Sequence, residues 1–330
     1  MAVSKFTRRD VNIGLVAAGV TIITGRARAA EFTLKHNHNL PEESPLHKRA
    51  TELWAAVKAQ TNGRVDVQIE HGEAGLEKMV NGELAFMTLA GNGLASLVPA
   101  ADVQATPYGF SNPQQVYSAL DGELGAYLRS ELTAKGLYAI PRGCFENGMH
   151  QITSTKKPIR TAADLQGVKM RVPGTPFYQD FFKSLGATII TVNLTKVYDA
   201  LKAGTVEVQD DPWDVVELFK FYEVQKYASI TDHSWSGYNM LASGKVWQGL
   251  PADVQRVIED NTKKYVALQR ADNDALNIDL RRDLAAKGVM FNDADKASFR
   301  ASLPAFYPRW KSHIGTKAWD LLETHVGKLG

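Results

Sequence analysis

Residues 250–288 read LPADVQRVIEDNTKKYVALQRADNDALNIDLRRDLAAKG, a helical pattern of more than thirty residues opened by Pro251 and closed by Gly288. At 1.5 Å per residue such a helix is roughly 50 Å long, more than a single small lobe needs. It reads as a strut laid across two lobes. Upstream, strand-like runs alternate with helical ones: EFTLKH (31–36), HKRATELWAAVKAQTNG (47–63), RVDVQIE (64–70), LEKMVNG (76–82), LAFMTLA (84–90), LRSELTAKG (128–136) and LYAIPR (137–142). A second series follows, with TAADLQG (161–167), VKMRV (168–172), PFYQDFFKSLG (176–186), ATIITVN (187–193) and TKVYDALKAG (195–204). This is the α/β pattern of a parallel sheet with crossover helices, begun twice. The expected division is residues 30–147 plus about 237–276 for lobe I, and 148–236 plus about 277–330 for lobe II. Several short crossings between lobes permit hinge closure.

Residues 1–29 carry a basic head, a glycine-broken apolar stretch from Val11 to Ile23, and small residues at Ala27 and Ala29, the pattern of a cleaved export signal. Adjacent Arg8 and Arg9 point to the twin-arginine route and so to the periplasm. The stretch is too short and glycine-rich to span a bilayer, so no direct membrane insertion of the mature chain is expected. Five basic residues and one acid leave with the signal, so the net charge of +2 becomes −2. Nothing in that balance calls for nucleic acid. Cys144 is the only cysteine, which excludes an internal disulfide, and it reads as a small buried hydrophobe.

Arg171 sits between Met170 and Val172 in a strand that reads as buried. An ion taken out of water is costly, and arginine cannot shed its proton, so this position needs an anionic partner. No acid stands beside it in sequence: the partner is a distant Asp or Glu, or it arrives as a ligand. His36 and His38 alternate on one strand, but two ligands fall short of the three or four a metal site needs. Ser154 and Lys157 have serine–lysine spacing without the accompanying motifs, and neither GxSxG nor HExxH occurs. No cofactor, metal or catalytic residue is expected, and the enzyme reading is disfavoured.

PIRTAADLQGVKMRVP (158–173), LGATIITVNLTKVYDALKAGTVEVQDDP (185–212), FYEVQKYASITDH (221–233) and LPADVQRVI (250–258), in that order, resemble the substrate-binding subunits of tripartite ATP-independent periplasmic (TRAP) transporters. The resemblance implies a two-lobed clam with a long helix spanning both lobes. It also implies a receptor that captures a small organic acid and delivers it to TRAP permease membrane subunits. Arg171 matches the family arginine that grips the ligand carboxylate through two parallel hydrogen bonds. His150 in NGMH stands where a second arginine is usual, and Asp211 in VQDDP stands where an amide is usual. By the same resemblance Trp213, Trp235 and Phe177 fall at or near the interlobe groove. His38 and Asn92 follow the carboxyl ends of the first and third strands, where ligands of open α/β sheets bind, and Glu73 lies in a shortened loop at the comparable edge. One fixed cation lost and one acid gained favour a monocarboxylate with an aromatic or hydroxylated far end. An amine-bearing zwitterion, or a sensing role beside a membrane receptor, is the alternative. Histidine at 150 further predicts affinity that strengthens from pH 8 toward 6.

Overall fold

The computed structural model describes residues 29–72 and 74–329. The export signal with Arg8 and Arg9, and Glu73, lie outside the described residues. Eleven strands are described: β1 (Phe32–His38), β2 (Val65–His71), β3 (Phe86–Ala90), β4 (Leu137–Met149), β5 (Gln151–Ser154), β6 (Lys169–Val172), β7 (Thr188–Thr191), β8 (Val208–Asp211), β9 (Tyr227–Ile230), β10 (Trp235–Ser243) and β11 (Met290–Asp293). They form two sheets, ordered β2-β1-β3-β10-β4 and β11-β9-β5-β8-β6-β7.

The sheets are mixed, which corrects the expected parallel arrangement. β1 pairs in parallel with β2 and β3, and β6 with β7 and β8, as crossover helices require. β10 runs antiparallel to β3 and β4, and β5 antiparallel to β8 and β9. The exceptions have one cause: β4 continues into β5, and β9 into β10, so the chain crosses directly between sheets twice, before the long helix carries it back a third time to β11. At the crossing the two segments pair with each other, His150 N–H donating to the Ser234 carbonyl at 2.8 Å and His233 N–H to the His150 carbonyl at 3.3 Å. This crossing lies beside the cavity described below.

The local signals behave as their chemistry requires. Ser44 caps helix Pro45–Gln60 by accepting from the His47 amide at 3.2 Å, with Pro45 in the first turn where its missing N–H costs nothing. Thr161 and Asp164 form a reciprocal capping box on the turn before β6. Gly186, at φ +84°, ends helix Pro176–Ser184 and turns the chain into β7.

The long helix runs Ala252–Ala286, 35 residues. Its first half buries Val254, Ile258 and Val266 in a cluster with Trp54, Phe86 and Phe145 of the first sheet's lobe. Its second half buries Leu280 and Leu284 with Val197, Val216 and Phe221 of the other. Each fully buried side chain of this size contributes about 1.5–3 kcal/mol, so both ends of the strut are anchored. Between them the helix turns polar: Gln269 accepts from the Glu146 amide and donates to its carbonyl, both at 2.8 Å, gripping β4 just before the crossing. The last two helices, Phe306–Ile314 and Thr316–Val326, which the expected division allots to lobe II, touch both lobes. They pack on helices Pro113–Asp121 and Glu123–Ala134 on one side and on Pro176–Ser184 on the other.

Candidate functional site

A cavity of about 120 Å³ lies between the two sheets at the crossing. Asn39, Ala90 and Asn92 line it from the first lobe, Arg171, Asp210 and Asp211 from the second, and Asn147, His150 and Ser236 from the crossing itself. Strand geometry explains part of this selection. Side chains alternate along β10, so Ser236 and Tyr238 face the cavity while Trp235 points the other way.

Arg171 is 4% exposed. Its Nε donates to the Val192 carbonyl at 2.9 Å and its Nη1 to Asp211 Oδ2 at 3.4 Å. Asp211 is the one carboxylate within 4.0 Å of the guanidinium among the described residues. A distant acid is therefore present, but through a single long contact, whereas a forked arginine–carboxylate pair would sit at about 2.7–2.9 Å. Burial pushes the Asp211 carboxyl up to about 7, adjacent Asp210 adds to the rise, and Arg171 opposes it.

Asp210 is treated oppositely. Burial alone would raise it, but Oδ2 accepts from His150 Nδ1 at 2.8 Å and from His233 Nε2 at 3.4 Å, and these bonds hold its carboxyl below the usual range. His150 Nε2 meets Ser236 Oγ at 2.9 Å, and His233 Nδ1 meets Thr231 Oγ1 at 2.9 Å. Tyr178 stacks on the His150 ring, centroids 5.6 Å apart. His150, Asp210 and His233 lie close enough to share an ion. All four ring nitrogens already have partners, however, while Asp210 Oδ1 is buried without a hydrogen-bond partner among the described residues.

Among the predicted site residues, Arg171, His150, Asp211 and Asn92 are brought together around the cavity. Four others are not. Phe177 is fully buried, its ring 4.7 Å from Trp310 and 5.4 Å from Phe306, so it fastens the C-terminal helices while its neighbour Tyr178 takes the cavity face. Trp235 is 1% exposed, and its Nε1 donates to both oxygens of Glu146 at 2.8 and 3.0 Å. Trp213 packs against Phe291 and lines a separate cavity of about 210 Å³ beside Asp274 and Asn277 of the long helix. His38 is 1% exposed; its Nδ1 accepts from the Leu40 amide at 3.3 Å, so its Nε2 carries the proton and donates to His47 Nδ1 at 2.9 Å. Burial and His47 lower its pKa to about 4, leaving it neutral, and Asn39, one residue on, reaches the cavity instead.

The cavity residues missed in the sequence had signals of two kinds. Asn147 belongs to the same NGMH stretch as His150, and Ser236 and Tyr238 follow from period-two alternation in WSGY. Asn39 had no such signal. Its Oδ1 and that of Asn147 are buried without a hydrogen-bond partner among the described residues.

Residues 36–313 match the model of the bacterial extracellular solute-binding proteins, family 7 (DctP), and the chain belongs to that family. It is a DctP-type substrate-binding protein of the TRAP class, whose members are periplasmic and serve a TRAP membrane permease. The chain is 26% identical over 304 residues to the 2,3-diketo-L-gulonate-binding periplasmic protein YiaO of Escherichia coli K12, covering 89% of this chain and 91% of that one. Among solved structures it is similar to the sugar acid binding protein of Advenella mimigardefordensis in complex with galactonate, at 25% identity and a TM-score of 0.85, over 92% of this chain and 100% of that one. A TRAP periplasmic solute-binding protein of Sulfurospirillum deleyianum with bound succinate gives 25% identity and a TM-score of 0.82, over 90% and 98%. Family and fold are those of solute-binding proteins, not enzymes. No helix among the described residues is long and apolar enough to cross a membrane.

Proposed function

We propose that this chain captures a small hydroxylated monocarboxylate, of the sugar-acid kind, in the interlobe cavity and delivers it to a TRAP permease. The carboxylate docks on Arg171, whose fork supplies two charge-assisted bonds worth about 1.5–3 kcal/mol each. The observation that carries the hydroxylated far end is the set of unpartnered buried acceptors on residues lining the cavity, Asn39 Oδ1, Asn147 Oδ1 and Asp210 Oδ1. An orphaned buried acceptor costs about 1–3 kcal/mol, which a ligand hydroxyl donating to it recovers. Because Trp213, Trp235 and Phe177 are turned into cores or a separate cavity, they give an aromatic ligand no platform. The galactonate bound by the similar Advenella protein supports the same reading.

A thermal-shift screen over aldonates, hexuronates, C4 dicarboxylates, hydroxybenzoates and amino acids tests this. A ligand at a hundred times its Kd stabilises by about 2.7 kcal/mol, so an aldonate or other hydroxylated monocarboxylate should give the largest rise. A simple C4 dicarboxylate at the top of the ranking would refute it. Export by the twin-arginine route is part of the same proposal, on Arg8 and Arg9. Replacing both by Lys should abolish periplasmic accumulation, whereas normal accumulation would exclude that route.

A further inference from the structure

The cavity is close to charge balance before any acid enters. Arg171 faces Asp211 at 3.4 Å, and the carboxylate of Asp210 is held by two imidazoles. The first-lobe wall brings the amides of Asn39 and Asn92 and no charge. An incoming carboxylate therefore adds a third anion around one permanent cation, among buried charges that solvent screens less than surface ones. We propose that the site takes its acid together with one proton from solvent, which Asp211 carries while the ligand carboxylate replaces it on Arg171. The inference rests on the acid-binding reading above and assigns Asp211 a role that a neutral amide could not have.

The step balances simply: the Asp211 carboxylate gains a solvent proton, and its contact to Arg171 is exchanged for the ligand's. The groups facing Asp211 decide why the proton goes there. These are Arg171 on β6, Asp210 beside it on β8, His150 at the crossing, Asp214 in the helix that follows, Tyr178 on helix Pro176–Ser184, and Tyr238 on β10. Burial pushes both phenols far above their ordinary range, so they stay neutral. Asp210 is held down by its two histidines. Asp214, raised to about 7 mainly by burial, is engaged with the Val215 amide and with Asn273 of the long helix, away from the cavity lining. Asp211 alone both touches Arg171 and is already raised to about 7. A ligand carboxylate arriving beside it raises it further, as like charges sharing a site must.

Calorimetry at pH 8 in phosphate and in Tris, with D-galactonate, D-erythronate and 4-hydroxybenzoate as probes, counts the protons. Wild type should take up close to one proton per acid bound, and its Kd should weaken about tenfold per pH unit between pH 7 and 9. Asp211→Asn should take up none and show no such slope. Zero uptake by wild type, uptake that persists in Asp211→Asn, or a slope that survives there and vanishes in His150→Gln would each overturn the proposal. Glycine and β-alanine serve as zwitterionic controls; if they bind tighter than every monoanion without proton uptake, Asp211 stays charged and the proposal fails. Should no probe bind, urea unfolding of the ligand-free proteins decides. Asp211 has a folded pKa above its unfolded value, so its ionisation costs stability only as pH rises, and Asp211→Asn should gain on wild type between pH 5 and pH 8. An unchanged difference would overturn the proton site, whereas a gain without any acid bound would retain that site and defeat the acid-binding reading.

Discussion

The two walls of the cavity are built from different chemistry. The second-lobe wall carries its charges within the strands themselves: Arg171 inside β6, Asp210 and Asp211 at the end of β8, all buried. The first-lobe wall is neutral, with Asn39 and Asn92 half-buried just beyond the carboxyl ends of β1 and β3. The difference assigns the lobes different tasks. Gripping a carboxylate needs a preorganised charge, and a strand holds one more tightly than a loop. Closing over the ligand is easier for the wall that has no charge to strip of water, since amides cost far less to desolvate than ions. In our proposal the second lobe grips and the first lobe closes.

The largest expected effect checks that the wall ends where the structure ends it. Phe177→Ala removes a fully buried ring next to Tyr178, and should cost about 3–5 kcal/mol of stability in urea unfolding while leaving acid affinity within about twofold. A large affinity loss in a folded Phe177→Ala protein would return Phe177 to the cavity. Arg171→Ala should fold and weaken acid binding by about a hundredfold or more, and Arg171→Lys nearly as much, because one ammonium cannot reproduce the forked contact. Calorimetry reads both, and a change under twofold would make Arg171 a structural partner of Asp211 only.

A third prediction concerns pH. Burial raises Asp102, Asp211 and Asp214 to about 7 and Glu146 to about 8, so the folded state keeps protons that the unfolded chain has released. Their contribution to stability falls as pH climbs from about 4 to 8. His36, lowered to about 3, His38, lowered to about 4, and His233, lowered by burial, act oppositely, but that gain is complete once pH passes the ordinary histidine value near 6.5. Between pH 6.5 and 8.5 the acids decide, and stability should drop by on the order of 4 kcal/mol in urea unfolding. A flat or rising profile would mean these carboxyls are not held protonated. The smallest effect belongs to the neutral wall: Asn92→Ala should weaken affinity about five- to tenfold, the value of one uncharged hydrogen bond, and a loss as large as that of Arg171→Ala would erase the distinction between walls.

The architecture was largely legible because it rests on period and punctuation. Pro251 and Gly288 bounded the long helix to within a residue or two, and the KMRV strand and the TAADL cap stand where their patterns put them. The crossings were less legible, since β5 and β9 are four residues each and carry no mark of the sheet they will join. The candidate site divides in the same way. Arg171 was visible because a charge inside an apolar strand is costly wherever it falls. The aromatics were misplaced because a large ring near a groove is equally suited to the core behind it. One-residue differences, Phe177 against Tyr178 and Trp235 against Ser236, decide which side a ring takes, and only the packed backbone sets that phase. The pH response expected of His150 moves to Asp211 in our proposal, because Asp211 touches Arg171 and burial already raises its carboxyl to about 7.

The most direct measurement is a crystal structure of the protein with D-galactonate, or with whichever acid leads the screen. The account predicts the carboxylate on the Arg171 fork at about 2.7–2.9 Å, the Asp211 contact loosened, and ligand hydroxyls on Asn39 and Asn147. An acid found instead in the cavity beside Trp213 and Asp274, or one bound between the lobes while Arg171 remains paired only with Asp211, would contradict it.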